Sequence, residues 1–506
     1  YRFVADPSQQ LAFGDGDLIR SLIDGAEILF SNEYEASLIT QKTGWSREEA
    51  AGQPIHTVLS MLEEESYEGP EHLVQRIMRG TQQPIEMRSV LVSEDGTERD
   101  VTIHAAVTAG PIDEVVRGAC TEVILDVEAA VLEEAQRSTL ARFPGFALKL
   151  KRGLFWYFLE HNEGGPKVMP DGPYPCAPMD FKENGGFMFR VLYHEKRIAV
   201  EIFHVLTDGT GGLCFLKTLV AEYLRIKYGA NIPRDNEILD CSQPPDPGET
   251  EDAYLKYARD VGRSRREPNS YYIPGTTEAD GFIHVVTGQI PAFDVLSRAK
   301  AKGVSLTEYL TAALIMAVDK LQRQRVKNEK RLKPVKVCVP INLRSFYPTR
   351  TLRNFASYVN VGIDPRYGTY SFDEVLNAAH HYMRSEVTEK QLNAKFSTNV
   401  RTETRKALRL TPLFIKNIAM KLTFYAVGDR KSSTSISNLG AVKLPDEMAQ
   451  YVTRMDFILG PLSRNKVVCG AITYQGTLVL NFLRTIKESE VEREFFRNLV
   501  KLGIPV

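Results

Sequence analysis

A mixed α/β (α+β) chain of two folded units is predicted by three features of the 506-residue sequence. Residues 1–130 carry 9 Lys and Arg against 24 Asp and Glu, a net of −15, whereas the rest carries 54 against 40, a net of +14. Strand-type alternating runs come in pairs, around Ser93-Glu-Asp-Gly96 and around His194-Glu-Lys196. Helix-period runs cover Glu128 to Phe143 and Leu213 to Tyr228, the second entered from a strand through a glycine-rich turn. The length calls for more than one domain, and the charge split divides the chain at residue 130, into 1–130 and 131–506.

Composition removes several classes. Hydrophobic residues make up 43 % and charged residues 25 %, which excludes a disordered chain, a collagen-like repeat and a coiled-coil rod. The longest apolar stretch, Tyr309 to Val318, is ten residues, too short to span a bilayer. No charged-then-apolar leader opens the sequence, and the first residue, Tyr1, suggests a fragment or processed chain. Cys120, Cys176, Cys214, Cys241, Cys338 and Cys469 lie far apart without a CxxC pair. That argues against a disulfide framework or zinc cluster, and for a reducing cytoplasm.

In the first unit, Asp24 to Phe30 reads as a strand after an Asp-Gly turn, with Ser31 or Asn32 as the N-cap of a helix. Ser46-Arg-Glu-Glu49 is a capping box. Ile85 to Ala106 reads as a hairpin with Asp-Gly at its turn, and Gly118 to Val127 as a last strand. Asn32-Glu-Tyr-Glu-Ala36, Gly44-Trp-Ser-Arg-Glu-Glu-Ala-Ala-Gly-Gln53, Glu94-Asp-Gly-Thr-Glu-Arg-Asp-Val101 and, in part, Leu125-Asp-Val127 resemble the corresponding stretches of PAS sensor domains over about residues 16–135. The resemblance implies an antiparallel sheet with helices. Thr40-Gln-Lys42 departs as an insertion, the cysteine motif of flavin-binding light sensors is absent, and no ligand is assigned to His56, His72 or His104.

In the second unit, the Glu128–Phe143 helix stops at Phe143-Pro144-Gly145, and Leu154 to Leu159 reads as a buried aromatic strand. A Gly- and Pro-rich loop, Gly164 to Pro178, follows, then a hairpin of Phe187–Tyr193 and Arg197–Phe203. The second strand runs into His204-Val-Leu-Thr-Asp208-Gly209-Thr-Gly-Gly212. A histidine at a strand end sits at a rim open to substrate. An aspartate four residues on, in a tight turn, can fix the surrounding backbone. A metal site on His204 and Asp208 needs a helix across them, which Gly-Thr-Gly-Gly opposes, so no metal is assigned.

This His-x-x-x-Asp-Gly in a strand–loop–helix setting resembles the chloramphenicol acetyltransferase-like superfamily, which includes condensation domains, wax ester synthases and alcohol O-acetyltransferases. Arg142-Phe-Pro-Gly-Phe146, Gly153-Leu-Phe-Trp-Tyr157, Val339-Pro-Ile-Asn-Leu-Arg344, Thr351-Leu-Arg-Asn-Phe355 and Ser437-Asn-Leu-Gly440 are similar to stretches of bacterial alcohol acetyltransferase-like proteins, in the same order. The resemblance covers about 120–506. It implies two lobes, about 131–275 and 276–506, with a tunnel between them. It implies an acyltransferase moving an acyl group from an acyl thioester, acyl-CoA or an acyl carrier protein, to a small alcohol or amine. His204 is then the general base, in a motif completed by Asp208 and Gly209, with Arg344 as the salt-bridge partner of Asp208. Asn438 and Gly440 become oxyanion or tunnel candidates. No tightly bound cofactor is expected, and acyl-CoA is a co-substrate. Thr121 to Ser138 fits either unit.

Phe203 stands where the superfamily has a first histidine. It motivates the alternative of a catalytically degenerate fold used as a binding or signalling module. Cys214 falls on the apolar side of its helix, and no Gly-x-Ser-x-Gly elbow occurs. The basic run Arg323 to Lys336 reads as a solvated helix end, and His380-His381 lacks an Asp-Gly partner. Basic and aromatic residues do not interleave as in a nucleic-acid module.

Overall fold

The computed structural model describes residues 126–506 apart from 155–156, 173–174, 263–266, 279–281, 405–410, 414, 418–429 and 463–464. Before residue 126 it describes strand segments at 3–5, 26–29, 31–32, 87–92, 98–103, 105–106 and 116–123. Packing divides the chain into two units, Tyr1–Ala105 and Ala106–Val506.

In the first unit β1 (Phe3–Ala5) pairs in parallel with β2 (Ala26–Leu29). A separate antiparallel sheet contains β3 (Ser31–Asn32), β4 (Met87–Val92) and β5 (Glu98–Ile103). Val92 faces Glu98, so the two alternating runs pair as expected, while residues 93–97 between them lie outside the described residues. Ser31 and Asn32 face Val90 and Ser89 across the sheet; the helix expected to follow them lies outside the described residues. The capping box at residues 46–49, the inserted residues 40–42, and His56, His72 and His104 lie outside the described residues.

The second unit starts with β6 (Val116–Val123), hydrogen-bonded on both sides. One neighbour is β11 (Arg197–Phe203) and the other β16 (Val452–Leu459). Thr121 to Ser138, which fitted either unit, therefore contributes the end of this inner strand and the start of the next helix to the second unit, and packing divides the chain upstream of residue 130. Helix α1 (Ala129–Arg142) follows, burying Leu132, Ala135, Thr139 and Leu140 and stopping at Phe143, whose N–H bonds the Thr139 and Leu140 carbonyls.

The aromatic strand differs from expectation. β7 (Leu148–Arg152) and β8 (Tyr157–His161) form a two-stranded ribbon in which Leu154 is 73 % and Phe158 51 % exposed. Lys149 and Lys151 both pair with Glu160, and a charged ribbon of this kind is not covered by a second sheet. Phe155 and Trp156 lie outside the described residues.

The first sheet runs β9 (Met169–Pro170), β10 (Phe189–His194), β11, β6, β16. Helix α2 (Gly209–Tyr228) packs against it through Phe215, Leu216, Leu219, Val220 and Tyr223, and closes at Gly229 with φ of 65°. Phe146 stacks on Phe215 at 4.4 Å, and Phe143 meets the same ring edge-on at 5.2 Å. Each such pair adds about 0.5–1.5 kcal/mol beyond its buried area.

A second core lies around β12 (Ile283–Pro291), α3 (Ala292–Ala301), α4 (Leu306–Arg325), β13 (Val335–Asn342), β14 (Ala356–Ile363) and α5 (Phe372–Glu386). It is completed by α6 (Glu389–Thr404), β15 (Thr434–Val442), β17 (Val467–Tyr474), β18 (Thr477–Arg484) and α7 (Glu490–Lys501) on its sheet and flanks. Among these strands the order is β14, β13, β15, β17, β18, β12. The apolar run Tyr309–Val318 is the buried centre of α4. Among the described residues no single helix is long and apolar enough to cross a membrane. Strand β16, from the second half of the chain, closes the first sheet, with Phe457 facing Ala119.

Candidate active site

The site is built where β11 ends. His204 opens a turn directly after Phe203, half-buried, and Asp208 caps α2 by accepting from the Thr210 and Gly211 N–H groups at 3.1 and 3.2 Å. Those are two of the four amide donors that a helix start leaves unsatisfied. The other carboxylate oxygen of Asp208 accepts from Arg344 Nη1 at 2.7 Å and from the Phe355 N–H at 2.8 Å. Asp208 and Arg344 are both largely buried. With four donors on its two oxygens, Asp208 is fully used as an acceptor and offers nothing to a metal ion.

The segment connecting β13 to β14 wraps the turn residue by residue. Arg344 Nε donates to the Thr351 carbonyl and Nη2 to the Arg353 carbonyl, at 2.8 and 2.6 Å. The Leu352 carbonyl accepts from Thr207 Oγ1 at 2.5 Å. Asn354 Nδ2 lies 3.1 Å from His204 Nδ1 and 3.3 Å from the His204 carbonyl oxygen. Asn342 caps the start of this segment and also donates to Thr210 Oγ1 at 3.1 Å. Five successive residues, Thr351 to Phe355, thus supply an atom each to the turn or to its arginine.

The outer side of the segment is held as firmly. Leu352 N–H donates to the Glu249 carbonyl at 2.8 Å, and the Glu249 carboxylate receives both terminal nitrogens of Arg142, at 2.5 and 2.7 Å. That forked pair, buried, gives Arg142-Phe-Pro-Gly-Phe146 its place in the site. Tyr254 both donates to the Ala356 carbonyl and accepts from its N–H. Burial pushes the Tyr254 hydroxyl up to about 12, so it stays protonated for this double role. Phe355 sits in an aromatic cluster with Tyr254, Tyr257, Tyr347 and Phe396.

Close approach sets the glycines. A Cβ on Gly211 would lie 2.4 Å from the Leu352 carbonyl oxygen, and one on Gly209 2.6 Å from Leu439 Cδ2. Gly209 is therefore the point where β15 touches the start of α2.

The structure brings His204, Asp208, Gly209 and Arg344 together. It treats Asn438 and Gly440 differently. Asn438 Nδ2 donates to Thr307 Oγ1 at 3.1 Å, and the Gly440 N–H donates to Asn438 Oδ1 at 2.9 Å. The Gly440 N–H is thus used within the bulge of β15, and one of the two Asn438 amide N–H groups is used by α4. Phe203 packs on Phe181 at 5.4 Å, an apolar contact that accounts for the missing first histidine. Cys214 is buried, and burial pushes its thiol up to about 12, the state of a core residue and not of a nucleophile. In the basic run, Arg323 is bound to Asp319 and to the Pro365 and Gly368 carbonyls, and Arg325 to Glu490. His380 pairs with Glu308 at 3.2 Å.

Asn354, Thr207 and Tyr254 are the contributors that reading the sequence missed. The available signal was Thr351-Leu-Arg-Asn-Phe355, visible as a stretch but not as five separate contacts.

No family model matches the chain. Among solved structures, the chain is similar to polyketide synthase associated protein 5 from Mycobacterium tuberculosis at 14 % identity and a TM-score of 0.49, over 77 % of this chain and 93 % of that one. It is similar to the first condensation domain of the calcium-dependent antibiotic synthetase at 14 % identity and a TM-score of 0.49, over 77 % and 91 %. The trichothecene 15-O-acetyltransferase of Fusarium sporotrichioides is similar at 12 % identity and a TM-score of 0.48, over 78 % and 90 %.

Proposed function

We propose that the second unit is an acyltransferase that moves an acyl group from a thioester, acyl-CoA in the simplest case, to a small alcohol or amine. The observation that carries this reading is the seat of His204: an imidazole at a strand end, on a turn pinned by Asp208 and Arg344 from the opposite lobe. Such an imidazole is half-buried and held in place, and imidazole as a group has an unperturbed pKa suited to moving protons near neutrality. The resemblance of His204-x-x-x-Asp208-Gly209 to the superfamily motif supports the same role.

In this reading His204 takes the proton of the acceptor O–H or N–H while the oxygen or nitrogen attacks the thioester carbonyl carbon. A tetrahedral oxyanion forms, the C–S bond breaks, and His204 returns the proton to the leaving thiolate. No acyl-enzyme is formed. The substrates would meet at His204 between the two lobes, in the tunnel that the resemblance implies. Asp208 and Arg344 are positioning residues. The first unit is read, from its sequence alone, as a PAS-like sensor regulating this transfer.

The test is incubation of the purified full chain with acetyl-CoA and a panel of alcohols and amines, following free thiol release and the mass of the acylated acceptor. Acceptor-dependent thiol release that disappears in His204→Ala supports the reading. Binding of acetyl-CoA without turnover would favour the degenerate binding module instead.

A further inference from the structure

The β7–β8 ribbon leaves the first sheet at the end that carries His204. Lys149 bridges to Phe187, and the neighbouring Met188 carbonyl accepts from the Phe203 N–H at 2.8 Å. From there the ribbon crosses to the second lobe. The Leu154 carbonyl accepts from the Leu413 N–H at 2.9 Å, and the Tyr157 hydroxyl from Asn417 Nδ2 at 3.0 Å. Leu148, Leu150 and Leu159 pack against the first core. Leu154, Tyr157 and Phe158 stay exposed, and so does Ile415 on the segment they meet.

Large apolar side chains gathered on a surface mark a place of interaction. The charge around them indicates the partner. Residues 149–160 and 405–417 hold seven Lys and Arg and one acid, Glu160. Of these basic residues, only Lys416 is buried among the described residues. Lys149 and Lys151 share Glu160, which leaves the stem of the ribbon net positive. Arg152 has no ion-pair partner among the described residues. Two copies of such a face would bring like charges together. Anionic headgroups over acyl chains meet both properties of the face. Leu154, Phe158 and Ile415 enter the acyl boundary, the Tyr157 ring lies at headgroup level, and the Lys and Arg stems reach the phosphates.

We propose that the β7–β8 ribbon, with Ile415 beside it, is a docking surface for an anionic lipid bilayer. Docking there turns the His204 end of the first sheet toward the lipid. The proposal does not rest on the acyl-transfer reading.

The experiment is co-sedimentation of the full chain with vesicles of phosphatidylcholine alone and of phosphatidylcholine with phosphatidylserine. The chain is expected to sediment with the second and to be released by salt, which screens the attraction. Leu154→Ser combined with Phe158→Ser should weaken binding by about tenfold or more, the effect of withdrawing two large side chains from lipid. Arg152→Gln should weaken it by about fivefold, the share of one basic residue at an anionic surface. Phe293, exposed on α3, supplies the control, and Phe293→Ser should bind as wild type does. Hydrogen exchange of the wild-type chain needs no variant: phosphatidylserine vesicles should slow it in peptides covering 148–161 and 411–417. Four results would each overturn the proposal. They are no sedimentation of the wild-type chain with either vesicle, unchanged binding by the Leu154 and Phe158 double variant with an unaltered thermal melt, equal weakening by Phe293→Ser, and protection confined to other peptides. Self-association of the vesicle-free chain in sedimentation velocity, abolished by the same double variant, would give the surface to a second copy and overturn it as well.

Discussion

Asp208 and Arg344, 136 positions apart, form a 2.7 Å ion pair in which neither group has spare hydrogen-bonding capacity on the side facing the other. Asp208 caps a helix of one lobe, while Arg344 gathers the carbonyls of a segment of the other. Removing either side chain leaves a buried charge without its counter-charge, which costs roughly 3–5 kcal/mol. Asp208→Ala, Arg344→Ala and the double variant should therefore be strongly non-additive, the double costing much less than the two singles together. Urea melts of the four proteins measure this, and strictly additive losses would refute the coupling.

His204→Ala should melt within a few degrees of wild type, because the side chain is half-buried and the turn is held by Asp208. Acyl transfer should fall by about 10²–10⁴-fold, the share of a general base. Steady-state rates with acetyl-CoA check it; unaltered turnover would dismiss His204 from the chemistry.

Gly211→Ala tests the fit of the wrapping segment. The new methyl would press on the Leu352 carbonyl, a backbone atom that Thr207 also holds. Overpacking of this kind costs about 1–3 kcal/mol. The loss of stability should appear together with a loss of activity, and a variant indistinguishable from wild type in both would show that the segment yields.

Glu201 provides a pH test away from the site. Burial raises its carboxyl above the ordinary range, more than Arg190 and the Cys176 N–H lower it. The folded protein therefore holds this proton to higher pH than the unfolded chain does. Stability from Glu201 is greatest below the unfolded value and declines as pH rises through the folded one. The Tm of wild type minus that of Glu201→Gln should accordingly decrease with rising pH over that window. An increase would reverse the sign of the shift.

The boundary between units makes a fifth prediction. A fragment beginning at Ala106 retains β6, whereas one beginning at residue 131 lacks a strand bonded on both sides. The first should be soluble and give a cooperative melt; the second should aggregate through the exposed edges of β11 and β16. Equal behaviour of the two would place β6 outside the essential core.

Local patterns were legible in the sequence. The β10–β11 hairpin, the apolar face of α2 and the stop at Phe143 follow from periodicity and turn chemistry that a short window contains. The pairing of His204, Asp208 and Arg344 came from motif resemblance, since nothing local in Val339–Arg344 points to a residue so far away. What stayed hidden was decided by distant partners. Val452–Leu459 belongs to the second lobe by its place in the chain, yet β6 takes it as a neighbour. Tyr157 and Phe158 look like core residues, but which face is covered depends on elements far along the chain. Asn354 is an ordinary asparagine until the turn closes on it.

The connection between β13 and β14 is also closed at its base, where the Leu343 N–H donates to the Phe355 carbonyl at 3.2 Å. This has a consequence for the order of assembly. The turn after β11 can form its own helix cap early, from contacts within a few residues. The imidazole's final orientation must await a ring of chain from the other lobe, 150 positions away from His204. Contacts of such separation form late, after the loop-closure entropy has been met. On the ribosome, the first lobe emerges with His204 and Asp208 in place but without the partner that aligns them. Competence of the site arrives only with the second lobe, so a half-made chain holds its chemistry unarmed.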